Sequence, residues 1–144
     1  MLERTIRTIV HEQEVLSASA KTSVAEAARL MRQHKVGAML VVDDGQLAGI
    51  FTERDGLYRV VAEQRDVRKT TLAEVMTCNP QTVHPDEPFP RALHLMHSGG
   101  FRHVPVVENG KPIGMVSARD ALGPELEDFV YALLRQEQVG DILA

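Results

Sequence analysis

The chain has 144 residues, a formal charge of −4 and 44% hydrophobic residues, which suits one compact domain or two joined half-domains and argues against disorder. The acidic balance, two tyrosines, four phenylalanines and no tryptophan argue against a broad nucleic-acid footprint or a base-stacking platform. A single cysteine, Cys78, excludes an intrachain disulfide and a multi-cysteine metal site, and no apolar run approaches the roughly 20 residues that cross a bilayer.

The opening stretch MLERTIRTIVHEQE is charged throughout and lacks a signal core, so residues 1–14 read as an N-terminal segment of a cytoplasmic protein. A short strand is expected around Val15–Ser17. Ser23-Val24-Ala25-Glu26 is a capping box, and Val24, Ala27, Ala28 and Met31 follow on one face of the helix it opens. Ala38 to Val42 is an apolar run of strand length, Asp43-Asp44-Gly45 turns the chain, and Leu47 to Phe51 returns it as a hairpin. A second helix is expected from Glu53 to Gln64. The joining segment, 67–80, carries another capping pattern, Thr71-Leu72-Ala73-Glu74, ahead of Val75-Met76, and so holds a short helix. Next come a strand at Gln81–Val83, a helix from Phe89 to Ser98 closed by Gly99-Gly100, and a strand from Val104 to Val107. Glu108-Asn109-Gly110 supplies the turn and Ile113 to Val116 the returning strand. The tail, 123–144, contains an amphipathic helix from Pro124 to Val139 with Leu126, Phe129, Val130 and Leu133 on one side.

Residues 27–55 lie over 92–120 without a gap. Met31 falls on Met96, Val41-Val42 on Val106-Val107, Gly45 on Gly110, Gly49 on Gly114, and Arg54-Asp55 on Arg119-Asp120. Such a repeat divides the chain into units at 15–66 and 81–122. Either half alone would be marginal, so the two hairpin sheets are expected to pack face to face around one shared core.

The repeated motifs are GIFTERD, 49–55, and GMVSARD, 114–120. Thr-x-x-Asp and Ser-x-x-Asp are themselves helix caps. The same geometry also suits a ribose phosphate. A helix start and a hydroxyl favour an anion, an adjacent arginine adds a charge-assisted donor, and an ionised Asp accepts both hydrogens of a ribose diol. Gly49 and Gly114 would admit a neighbouring backbone or a base.

With the blocks VVDDGQLAGIFTERD, EVMTCNPQTVHPDE and RHVPVVENGKPIGMVSARD in register, residues 15 to 122 resemble a tandem pair of cystathionine-β-synthase (CBS) domains, a Bateman module. The resemblance implies an α+β fold of two repeats about a pseudo-twofold axis, packed sheet to sheet, with two clefts between them that bind adenine nucleotides. It implies one cleft with Ser117 and Asp120 on phosphate and ribose, Arg119 and Met115 alongside, and adenine against Thr22, Ala27, Val36, Gly37 and Ala38. The mirror cleft would use Ile50, Thr52, Arg54 and Asp55, facing Thr82, Val83, Phe101, Arg102 and His103, and Arg102 would reach a phosphate in either cleft. The second repeat departs from the first at Arg102 and Pro105, where the first has Gly37 and Leu40, so the clefts need not be equivalent.

The resulting expectation is a non-enzymatic regulatory sensor with no catalytic cofactor and no metal. It binds AMP, or alternatively NAD, ADP or ATP, and signals through conformational change in a homodimer to a protein target still to be identified, with no nucleic-acid or membrane partner. A ligand-free dimerisation module is the first rival. A metal protein or hydrolase built on His94, His97 and His103 is the second, but no acidic residue completes a zinc motif there.

Overall fold

The computed structural model describes residues 3–143, with side chains through residue 137, so Met1, Leu2 and Ala144 of the two terminal segments lie outside the described residues. Helix α1 (Ile6–Val10) leads to strand β1 (Ser17–Ala18), helix α2 (Val24–His34) and the hairpin β2 (Ala38–Asp43) and β3 (Gln46–Thr52). After β3 come α3 (Glu53–Asp55), a continuous π-helical stretch (Gly56–Val61), α4 (Leu72–Val75) and β4 (Thr77–Cys78). The second unit holds α5 (Phe89–Gly99), the hairpin β5 (His103–Glu108) and β6 (Lys111–Ser117), a 3-10 turn (Ala118–Asp120) and the 21-residue α6 (Gly123–Leu143).

The hairpins are the most regular part. Asp44-Gly45 and Asn109-Gly110 all have positive φ, the backbone of a two-residue hairpin turn whose twist matches the strands. Both ladders carry a register shift at the same place, between Val41 and Val42 and between Val106 and Val107. Strand β2 is apolar from Ala38 to Val42 because both of its faces are covered there. Met39 and Val41 join Val24, Ala27 and Met31 of α2 in the core of the first repeat. Ala38 and Leu40 point the other way and meet Ile50 and Met115 between the repeats.

The expected single core is therefore three clusters. Each repeat buries its own helices on the outer face of its hairpin, and a smaller group of Ala38, Leu40 and Ile50 joins the two. Residues 3–13 do not belong to the first repeat's core. Ile6 and Val10 of α1 are buried with Phe89, Leu93, Val104 and Val116 of the second repeat. Arg4 binds Glu125, and Arg7 binds Asp86 and Glu108, so both arginines fasten this segment to the second half.

The linker is equally crossed. Residues Thr77–Cys78, in the joining segment read as a linker helix, form β4 and extend the first sheet to four strands, in the order β1-β2-β3-β4. Gly49 explains why they fit: a Cβ there would stand 2.7 Å from the Thr77 carbonyl oxygen and 2.6 Å from the Met76 Sδ. Its counterpart Gly114 is pressed by Val10 and Gln13 of the N-terminal segment. Backbone and protein side chains, not a base, occupy the space both glycines leave.

Four further expectations are corrected. The strand at Gln81–Val83 reduces to one bridge, Val83 to Val106. In the first repeat Leu40 donates its N–H to the Leu16 carbonyl; Pro105, at the matching position, has no N–H to donate. The helix expected to end at Gln64 runs as α3 and then with π spacing, Ala62 bonding back to Leu57. In the second repeat the equivalent helix stops at Asp120 and restarts at Gly123, not Pro124. Pro124 cannot donate to the Asp120 carbonyl four residues earlier, and Arg4 Nη2 takes that bond at 2.8 Å. At Ser23 only half of the capping box forms. Its hydroxyl accepts from the Glu26 amide, while the Glu26 carboxylate turns to Arg29.

Candidate functional site

A cavity of about 890 Å³ lies where the first repeat's motif meets the second repeat's helix-to-strand corner. Strand β3 delivers Ile50 and Thr52, and α3 delivers Glu53, Arg54 and Asp55. The π-helical stretch adds Leu57, Tyr58 and Arg59, the β4 segment adds Thr77, Asn79, Pro80 and Gln81, and the opposite wall is Gly99, Phe101, Arg102 and His103. Its volume falls within the usual range of ligand pockets, about 300–1,000 Å³.

Thr52 closes β3 and caps α3 in both directions. The Asp55 amide donates to Thr52 Oγ1 at 3.3 Å, and Asp55 Oδ2 accepts from the Thr52 amide at 2.9 Å and its hydroxyl at 3.1 Å. Asp55 is 9% exposed, and its other oxygen lies 3.6 Å from Arg59 Nε. Arg59 is in turn held by the carbonyls of Val75 and Met76, at 3.2 and 2.9 Å. Arg54 crosses the gap between the repeats, its Nη1 donating to the Gly100 carbonyl at 2.8 Å. That carbonyl is presented by the left-handed residue that ends α5.

His103 starts β5 opposite Ser117 of β6. Burial pushes its pKa down, Glu53 and Asp120 pull it up, and Arg119 and Arg102 push it down, with a net lowering. The imidazole is therefore neutral at physiological pH, and the cleft's cationic character comes from Arg54, Arg59 and Arg102.

Of the residues assigned by resemblance to this cleft, Ile50, Thr52, Arg54, Asp55, Phe101, Arg102 and His103 line it together. Thr82 and Val83 do not: Val83 is 2% exposed, inside the second repeat's core. Tyr58, Arg59 and Gln81 are wall residues that sequence reasoning missed. A signal was present for Arg59, four residues after Asp55 and so one helical turn along, within ion-pairing reach.

The mirror set is differently placed. Ser117 and Asp120 form the same motif, with the Ser117 amide donating to Asp120 Oδ2 at 2.7 Å. Met115 is bound on both its backbone groups by the Gln13 carboxamide, at 3.0 and 2.8 Å. Ala27 and Ala38 are fully buried, Ala27 in the core of the first repeat and Ala38 between the repeats. Thr22 donates its amide to Ser19 and its carbonyl accepts from Leu72, which ties it to the linker helix. Val36 and Gly37 follow α2, where the Gly37 carbonyl accepts from the Glu53 amide, and Arg119 stands exposed on the 3-10 turn.

Of the histidines of the metal reading, His103 lines the cleft, while the other two lie on α5. His94 and His97 flank the Phe129 ring edge-on at 5.0 and 5.9 Å and hold α6 against α5. Among the described residues, one group has metal-ligand spacing, His84, Asp86 and Glu108, and the Arg7 guanidinium already bridges its two carboxylates. Arg7 lowers the pKa of both acids, mainly through its hydrogen bonds to them.

The CBS domain family model matches residues 6–61 and 72–124. CBS domain-containing protein CBSCBSPB1 of Arabidopsis thaliana is 36% identical over 143 residues, which is 99% of this chain and 25% of that protein. The chain thus spans about a quarter of that relative's length. The CBS domain pair of protein MJ0100, solved in complex with 5′-methylthioadenosine and S-adenosyl-L-methionine, has a TM-score of 0.73 and 28% identity, covering 83% of this chain and 93% of that one. PAE2072 from Pyrobaculum aerophilum, complexed with AMP, shares the fold at a TM-score of 0.79 and 22% identity, covering 89% of this chain and 99% of that one. The gapless repeat, the paired hairpins and the two capped motifs have the same explanation: this chain belongs to the CBS domain family and carries two of its domains in tandem.

Proposed function

We propose that the protein is a regulatory sensor of an adenine nucleotide, AMP being the first ligand to test, and that it works without catalysis. The observation that carries this reading is the 890 Å³ cleft, in which Thr52, Arg54 and Asp55 of one repeat face Phe101, Arg102 and His103 of the other. A phosphate would lie beside Thr52 and Arg54, which both line the cleft, with the Arg54 guanidinium as its charged donor. The Phe101 ring and Ile50 supply apolar surface for the base.

Because both repeats line the cleft, a ligand bound there favours whichever arrangement of the halves gives it the better contacts. The Arg54–Gly100 bond is the link most exposed to that choice, since a phosphate would compete for the same guanidinium. The readout surface is a homodimer interface. Leu126, Val130, Tyr131 and Leu134 of α6 are 42–64% exposed and adjoin one another along the helix, which supports burial against a second copy. Light scattering should give a dimer mass, and Val130→Lys a monomer.

Isothermal titration with AMP, on protein unfolded and refolded to strip co-purified ligand, tests the sensor. Binding is expected, and Arg54→Ala should weaken it about ten-fold or more through the loss of one charge-assisted hydrogen bond. A dimerisation module without ligand remains the second reading, because Asp55 is already occupied on both oxygens by Thr52 and Arg59. It prevails if no adenosine compound binds or co-purifies.

A further inference from the structure

The cleft's charges are unevenly matched. Three arginines reach it from three separate places, α3, the π-helical stretch and the corner before β5, against two carboxylates, Glu53 and Asp55. Asp55 is already paired with Arg59, which is pinned by two carbonyls and so set as a fixed counter-charge. Arg54 and Arg102 remain against Glu53 alone. Among the described residues Arg54 bonds only a carbonyl, which leaves its charge uncompensated, and Arg102 makes no ion pair.

The repeat itself gives an internal comparison. Sixty-five residues away from Arg54, Arg59 and Arg102 stand Arg119, Pro124 and Gly37. One arginine belongs to the shared motif; the other two have no arginine at the matching position of the other repeat. The same comparison sets His103 against Ala38 and Tyr58 against Gly123, so these polar wall residues are not repeated at the matching positions.

We infer that this cleft selects a nucleotide carrying two or more phosphates over a monophosphate, and that Arg102 is the residue that sets the preference. The inference rests on the adenine-nucleotide reading and deepens it. Thr52 and Arg54 take the phosphate nearest the ribose. Arg102, on the opposite wall and two residues beyond the Gly100 carbonyl that holds Arg54, takes the next. Guanidinium and phosphate match as paired donors and acceptors, so a second phosphate gains a charge-assisted contact that a monophosphate does not make.

The test is titration of AMP, ADP and ATP at one ionic strength without divalent metal, on the wild type and on Arg102→Met, which keeps the length of the side chain and removes its charge. Inorganic phosphate and pyrophosphate serve as probes without a base. ADP and ATP are expected to bind about ten-fold or more tightly than AMP. Arg102→Met should close that gap by weakening ADP and ATP about ten-fold more than it weakens AMP. Equal affinity for AMP and ADP in the wild type, or an equal loss for all three in Arg102→Met, overturns the inference and leaves the adenine reading intact. Pyrophosphate binding that depends on Arg102, with no gain from the adenosine moiety, keeps the polyphosphate site and overturns the adenine reading. Failure of every probe to bind overturns both.

Discussion

Lys35 and Gly100 hold the same place in the two repeats, each the left-handed residue that ends a helix, with φ of 56° and 71°. After each, a backbone amide reaches back five residues, Val36 to Met31 and Phe101 to Met96. Only glycine adopts that conformation without strain, so Lys35→Gly should stabilise the protein by up to about 1 kcal/mol in urea denaturation. Gly49 is the opposite case. Its Cβ would strike the β4 backbone, which cannot yield, so Gly49→Ala should cost about 1–3 kcal/mol and loosen β4. His103 makes a pH-dependent contribution. Its folded pKa lies below the ordinary 6.5, so the unfolded chain takes up a proton first as the pH falls. The contribution is whole above that value and is lost as the pH drops from about 7 through 6.5 toward the folded pKa. Denaturation midpoints should therefore fall over that interval, and His103→Gln should flatten the slope. The carboxylates of Asp86, Glu108 and Glu125 act in a separate, more acidic window, because Arg7 and Arg4 hold their pKa values below the ordinary carboxylate value.

At the scale of elements, hairpins and helices were legible because their signals are local. Asp44-Gly45 and Asn109-Gly110 set the turns, and the apolar run from Ala38 to Val42 set a strand, though not which residues face which core. The motif residues were equally legible, since Thr52 and Asp55 carry their capping pattern in four letters. What could not be read was every element whose partner is distant in the chain. Strand β4 exists only because Gly49 leaves room for it, and α1 only because the second repeat has an apolar face for Ile6 and Val10. Pro105 and Pro124 were visible, yet their effects depend on Leu16–Leu40 and Arg4–Asp120 bonds that no local pattern reveals. The assignment of Ile6 can be tested: although it precedes both repeat units, it is 0% exposed. Ile6→Ala should cost about 2–5 kcal/mol, and hydrogen exchange should quicken in β5 and β6 before β2 and β3.

At the scale of the whole molecule, the two repeats are more separate than one shared core would make them. The cluster between them has three buried residues, against ten and nine in the outer cores, so it is the weak joint. Leu40→Ala should make calorimetric unfolding depart from two-state behaviour, with a van't Hoff enthalpy below the calorimetric one, as the halves lose their coupling. The crossed straps work against that separation. The first repeat is finished by β4, which emerges soon after it, but the second is finished by α1, which the ribosome delivers before either hairpin. Arg4 must wait 121 residues for Glu125, and Gln13 waits 102 for Met115. During synthesis, then, the first half can close while Ile6 and Val10 stay exposed as an unmatched apolar end, until β6 emerges to cover them. Closing the longest loop last makes the second repeat the slower half to mature. It also makes α1, rather than the linker between the repeats, the place where a nascent molecule is open to the wrong partner.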